Sequence, residues 1–256
     1  MRLYNSIREI HRNGIIFVYP IIYDLIAFAI GFYFIGFNGQ SMFSVKLILE
    51  MGFPSVSHIE NIPLFANQLS FFNGPAETTF FSGAAVLILI VIRTFLQGGY
   101  IQSLHTVVEG ESYSFSEFIK ASKKNWLQFL ILEIILYFLK ISLTAFLVIF
   151  FPGIGGFAAL SSLIVLRIIF IYLEFTIVLD KVHIPGALKL SRTYLAKSLV
   201  PTMLTISVMY VICSGLSLFI HIMWSPTIVI GMILVYSYIM TLIQLVFMTI
   251  LSKTRK

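Results

Sequence analysis

The chain has 256 residues, of which 59% are hydrophobic and only 11% are Asp, Glu, Lys or Arg, with a formal net charge of +6. Ordinary soluble domains carry about 25% charged residues, and a water-soluble fold of this length has no interior large enough for so much apolar surface, so the composition excludes an ordinary soluble domain. The positive excess comes with no basic, aromatic-studded surface segment, which argues against nucleic acid and in favour of lipid headgroups and membrane topology.

Six apolar stretches are long enough to cross a hydrocarbon core as helices: 15–37, 80–104, 126–151, 157–179, 199–222 and 227–251. Lipid offers backbone N–H and C=O groups no water partner, so each stretch is predicted helical. The expected fold class is therefore all-α: a polytopic transmembrane helical bundle of six spans with short amphipathic interfacial helices, forming a single integral membrane domain over 1–256.

Arg2, Arg8 and Arg12 precede the first stretch in the manner of a signal peptide. The apolar run behind them is too long for a signal h-region and ends without an Ala-x-Ala-like site, which predicts an uncleaved first span. The extracytoplasmic segment 38–79 that follows is long, semi-apolar and interrupted by Pro54, Pro63 and Pro75. Within it Met42, Val45, Leu49 and Phe53 keep a helical period, as expected of a helix lying in the membrane interface. Such a segment is either a structural cap over the bundle or a lid or docking surface.

Two segments on the opposite side resemble one another. Ser114-Phe115-Ser116-Glu117 has the form of a capping box, followed by Phe118, Ile119, Ser122 and Trp126 at helical spacing. The other reads Pro185-Gly186-Ala187-Leu188-Lys189-Leu190-Ser191-Arg192. Ile119-Lys120-Ala121-Ser122-Lys123 and Leu188-Lys189-Leu190-Ser191-Arg192 match in residue type, each ahead of a span. The match is either a weak parallel repeat or chance likeness between two basic amphipathic helices. Short turns at 151–156, rich in Gly with Pro152, and at 221–226, with Trp224 placed as an interfacial anchor, join the later spans.

Thirteen of the seventeen Lys and Arg fall in the two tails and in the segments after spans two and four, three lie within spans, and Lys46 alone lies on the other side. The positive-inside rule then places both termini in the cytoplasm, and an even number of spans agrees. The expected location is the cytoplasmic (inner) membrane of a prokaryote, multi-pass. Membrane lipids, anionic ones in particular, are the expected partners, with a partner protein as an alternative at the cytoplasmic helices 114–126 and 185–198.

Gly98-Gly99, the serine-bearing helix after it, Pro152-Gly153-Ile154, the stretch from Arg167 to Glu174 and Ala187-Leu188-Lys189-Leu190-Ser191-Arg192 together resemble a family of small prokaryotic six-helix membrane proteins. That family is related to the membrane domain of some glycerophosphodiester phosphodiesterases, and the likeness covers roughly 95–215. It implies a fold, a membrane address and a link to lipid metabolism, and it carries over no catalytic residue. Segment 38–79 is foreign to the family pattern.

No zinc-protease, nucleophile-elbow or phosphate-loop motif is present, and the histidines at 11, 58, 105, 183 and 221 lack ligand-like spacing, with His58 and His221 placed outside. Asp180 and His183 read as a solvated helix end. The lone Cys213 reads as a small packing residue. No enzymatic activity, cofactor or metal is expected.

The exceptional residues are the six ionisable ones inside the spans: Asp24, Arg93, Glu133, Lys140, Arg167 and Glu174. A charge at bilayer depth costs several kcal/mol and marks either a functional site or a built-in pair. Counting along the helices places Asp24, Arg93, Lys140 and Arg167 near mid-membrane, and the two glutamates about 10 Å nearer the cytoplasm. Glu133 shares a helix face with Lys140, and Arg167 with Glu174, but seven residues along one helix is too far for direct pairing. Two readings stay open. Asp24 pairs with Arg93 within a structural network, or the basic trio lines a cavity suited to an anionic group such as a lipid phosphate, with a local excess of two positive charges over Asp24.

Overall fold

The computed structural model describes residues 14–47, 51–62, 64–67, 80–111 and 114–255, and no strand occurs among them. Its helices are α1 (Ile15–Ile35), α2 (Phe80–Glu109), α3 (Phe115–Phe150), α4 (Gly155–Ile169), α5 (Leu173–Leu179), α6 (Ile184–Lys197), α7 (Leu199–Ile222) and α8 (Pro226–Arg255). Six are long and apolar enough to cross a membrane, with α4 and α5 together making one crossing. The chain is thus an all-α bundle of the multi-pass membrane type.

Helices α1, α2 and α8 pack against one another at the centre, α3 lies along α2, α4 folds back on α3, and α7 lies against α8. Central α8 buries Val229, Met232, Ile233, Tyr236, Met240, Phe247, Met248 and Leu251. The C-terminal half of α3 differs: it buries nothing beyond Leu132 and exposes Ile134, Ile135, Phe138, Ile141 and Ile149. An apolar surface of this kind is at home in hydrocarbon and needs no protein cover.

Helices α2 and α3 approach closely at their terminus-bearing ends. A Cβ added at Gly99 would sit 2.5 Å from Ser122 Oγ and 2.7 Å from the Phe118 ring. Small residues at such contacts let helix backbones meet where lipid supplies no hydrophobic drive.

Three sequence-based expectations are corrected. The basic segment 114–126 is not a separate interfacial helix: it runs unbroken into the third span, and the Ser114 side chain makes no capping bond. Its counterpart α6 does stand apart from α7, separated by Ser198. The fourth span is not continuous, because residues 170–172 form a turn between α4 and α5. There Ile171 N–H donates to Ile168 O at 3.3 Å and Leu173 N–H to Phe170 O at 3.0 Å. These tighter bonds break the α-helical ladder while leaving those donors satisfied.

The third correction concerns the outer segment. No helix forms over 38–47, and Leu49 lies outside the described residues. The chain instead dips into the bundle. Trp224 Nε1 donates to Asn38 O at 3.0 Å, and Met42 N–H to His221 O at 3.0 Å, both at the C-terminal end of α7. Residues 51–60 are then buried, with Phe53 seated 5.4 Å from the Tyr23 ring and 5.6 Å from the Tyr100 ring, deep along α1 and α2. The chain climbs back to Asn61, whose N–H donates to His221 Nε2 at 3.0 Å, and then returns along α1, where Ala66 N–H donates to Ala27 O at 3.2 Å. Non-helical backbone is tolerated at membrane depth only when protein surrounds it. Of the described periodic residues Phe53 alone is buried, while Met42 stays exposed and Val45 half-buried, so the helical spacing over 42–53 marks no helix among the described residues.

This re-entrant segment encloses an acid. Glu60 is buried, and Lys46 spans the fold above it, donating from Nζ to Ser57 O at 2.9 Å and to Glu60 O at 3.0 Å. Burial pushes the Glu60 carboxyl up to about 8 from 4.5, opposed by the Lys46 ammonium. Between these values the folded segment holds a proton that the unfolded chain has released, so its stability falls as pH rises from about 4.5 to about 8.

Two outcomes follow. Gly99→Val should lower stability by about 1–3 kcal/mol through forced separation of α2 and α3, read as a lower melting temperature in detergent. Hydrogen exchange across 51–62 should quicken as pH rises toward 8, after correction for the intrinsic rate, and Glu60→Gln should flatten that dependence.

Candidate functional site

The site begins with Asp24 on α1. Its Oδ1 accepts from Ser55 Oγ at 2.5 Å and its Oδ2 from Val56 N–H at 2.7 Å. Ser55 Oγ also receives Asn67 Nδ2 at 3.0 Å and lies 2.7 Å from Ser57 Oγ. The fully buried carboxylate is thus anchored by the re-entrant segment itself.

The expected Asp24–Arg93 pair gives way to two separate arrangements. Arg93 on α2 forms its ion pair with Glu133 of α3 through Nη2. Its Nη1 lies 3.2 Å from His58 Nε2. His58, placed outside by sequence, is carried inward by the re-entrant turn Val56–His58 and buried.

Arg167 on α4 and Glu174 on α5 form a direct pair, with Nη1 2.7 Å from Oε1. On a continuous helix seven residues span about 10.5 Å of axis. The turn at 170–172 redirects the chain and brings the two side chains together. Tyr172 holds that turn, its hydroxyl 2.6 Å from Thr202 Oγ1 on α7.

Five of the six charges meet at one cavity of about 310 Å³. Met51, Phe53 and His58 of the re-entrant segment close its deep end together with Arg93 and Gln97. Phe129, Leu132, Glu133, Leu136 and Lys140 of α3 form one wall, and Leu163, Leu166, Arg167, Leu173 and Glu174 the other. Ile184 and Leu188 of α6 bound the end nearest the chain termini. Asp24 is absent from the lining. Three bases therefore face two acids, a formal excess of one positive charge rather than two.

The charges are not equally sheltered. The Arg93, Arg167 and Glu174 side chains are 5%, 13% and 5% exposed, whereas Glu133 at 36% marks the rim. Arg167 Nε and Nη2 and Glu174 Oε2 are buried with no hydrogen-bond partner among the described residues. A buried polar atom left unmet costs about 1–3 kcal/mol, more when charged. The cavity is mostly apolar with a few convergent polar groups, the usual make-up of a small-molecule site.

Gly52 shapes the deep end. Its φ of +93° lies in the left-handed region, and a Cβ there would meet Gln97 Nε2 at 2.3 Å. The backbone conformation there favours glycine, and a Cβ would require the Gln97 side chain to move. Sequence reasoning missed Met51, Phe53, His58 and Gln97. The only cue was Phe53-Pro54 within a semi-apolar stretch too short to span a membrane.

Asp180 is not a simple solvated end: it accepts from Arg255 Nε at 2.7 Å and from the Tyr194 hydroxyl at 3.2 Å, tying α5 to the end of α8. His183 lies 3.1 Å from Gln128 on α3. His221 is buried, with Nδ1 2.6 Å from Ser217 O and Nε2 receiving Asn61 N–H, so its neutral tautomer carries the proton on Nδ1. Among the described residues no His, Cys, Asp and Glu cluster is arranged to hold a metal ion. No family model, curated protein or solved structure matches the chain.

Asp24→Ala should release the re-entrant segment. Exchange of amides 51–62 should accelerate while the core of α8 stays protected, since the lost bonds to a charged acceptor are each worth about 1.5–3 kcal/mol.

Proposed function

We propose that this integral membrane protein is non-enzymatic and binds an anionic lipid or small amphipathic solute in the charged cavity between α3 and the broken α4–α5 crossing. The observation that carries the reading is the convergence of Arg93, Lys140 and Arg167 with two glutamates on one largely apolar cavity. Apolar walls suit an acyl or alkyl portion, and an excess of one positive charge suits an anion. The cavity ends against α6, whose Lys189, Arg192 and Lys197 are exposed. If the basic tails and loops are cytoplasmic, the ligand would enter from the inner leaflet of a prokaryotic cytoplasmic membrane. The family resemblance of 95–215, with its link to lipid metabolism, supports the same reading.

A second reading, a scaffold or permease subunit, is favoured by the exposed basic residues Lys120, Lys123 and Lys124 on α3 and by those on α6, which offer a docking face.

Extraction in native lipid followed by mass spectrometry separates the two. The expected result is a co-purified anionic amphiphile, lost in the double variant Arg167→Leu/Glu174→Leu, which leaves no orphaned buried charge. A variant that retains the ligand overturns the reading, and a stoichiometric partner protein without the ligand favours the scaffold.

A further inference from the structure

The unmet atoms of the Arg167–Glu174 pair specify the ligand more narrowly than charge alone. The guanidinium is planar, and its donors lie along distinct edges. Nη1 is committed to Glu174 Oε1 at 2.7 Å. Nε and Nη2, which together form the side-on edge, are buried and meet no described group. Two parallel N–H donors on one edge match two oxygens of a phosphate or carboxylate.

Glu174 Oε2 is the complementary feature. It is buried and unmet, on a side chain only 5% exposed, and it can only accept while the carboxylate is ionised. A bare anion placed on Arg167 would face this oxygen with like charge. An anion that carries a hydrogen-bond donor a few atoms away would satisfy both groups at once. Tyr210 on α7, within electrostatic reach of Arg167, has a buried hydroxyl that likewise meets no described group.

We infer that the broken α4–α5 crossing builds a two-point subsite for a monoanionic phosphate or carboxylate bearing a nearby hydroxyl, with Arg167 Nε and Nη2 gripping the anion and Glu174 Oε2 accepting from the hydroxyl. The headgroup of a hydroxylated anionic lipid and a free polyol phosphate share this chemistry. A cavity of about 310 Å³ takes a headgroup or a small solute, not two acyl chains. The inference rests on the binding function proposed above and adds the requirement for a donor.

The test uses the purified full chain in nanodiscs of zwitterionic phosphatidylcholine doped with phosphatidylglycerol or with phosphatidylmethanol. The two probes have equal charge and differ in the headgroup hydroxyls. The water-soluble deacylated phosphatidylglycerol headgroup is the third arm. Phosphatidylglycerol should bind about tenfold tighter than phosphatidylmethanol, the worth of one hydrogen bond to a charged acceptor. Glu174→Gln should erase the discrimination. Arg167→Lys keeps the charge but loses the fork, and should weaken both probes about tenfold. If the deacylated headgroup binds as tightly as the lipid with the same dependence on Glu174, the ligand is a free solute and the subsite stands. Equal binding of the two lipids, unchanged in Glu174→Gln, overturns the inference and leaves the anion-binding function in place. Binding of both lipids that is unchanged in Arg167→Lys removes the fork. No binding of any probe overturns both the inference and the function beneath it.

Discussion

A carboxylate in the middle of a membrane bundle needs the donors that water would otherwise supply, and Asp24 obtains them from the Ser55 hydroxyl and the Val56 N–H. The contact serves both partners. The carboxylate is held in a region where an unmet charge costs several kcal/mol. The segment, which has no helix to satisfy its own backbone there, gains an acceptor at its deepest point. One interaction thus accounts for two features that would each be unfavourable alone, an acid in oil and an irregular chain at membrane depth.

The rest of the interior follows from that anchor. With Asp24 occupied, Arg93 turns to Glu133 and His58. With the segment drawn inward, Met51, Phe53 and His58 line one end of the cavity. Lys46, Ser217 and His221 hold the two limbs of the segment near the C-terminal end of α7: Lys46 N–H donates to Ser217 Oγ at 3.0 Å, and Ser217 Oγ donates to Ile59 O at 2.6 Å. The cavity is lined at one end by the re-entrant segment that these bonds hold and at the other by the amphipathic α6.

The break in the fourth crossing works by a related principle. A straight helix would keep Arg167 and Glu174 two turns apart and leave each to find a partner elsewhere. The turn at 170–172 pairs them while using one donor and one acceptor, and Arg167 Nε and Nη2 and Glu174 Oε2 stay buried and unmet by any described group.

The sequence by itself determined the class of object, since long apolar runs have one stable form in hydrocarbon and need no tertiary information to adopt it. It also marked Asp24, Arg93, Glu133, Lys140, Arg167 and Glu174, because charges are rare where oil penalises them. The fifth span, Leu199–Ile222, has the predicted limits because Ser198 and the 221–226 turn bound it locally. Which charge meets which was decided only by the tertiary structure. Depth counting gave each group a level in the membrane but no azimuth, and partner choice depends on azimuth and on chain that leaves the helix. The re-entrant path of 51–62 and the turn at 170–172 have no local signature strong enough to override helical periodicity. They exist because buried polar groups elsewhere in the bundle supply the hydrogen bonds that those backbones would otherwise lack.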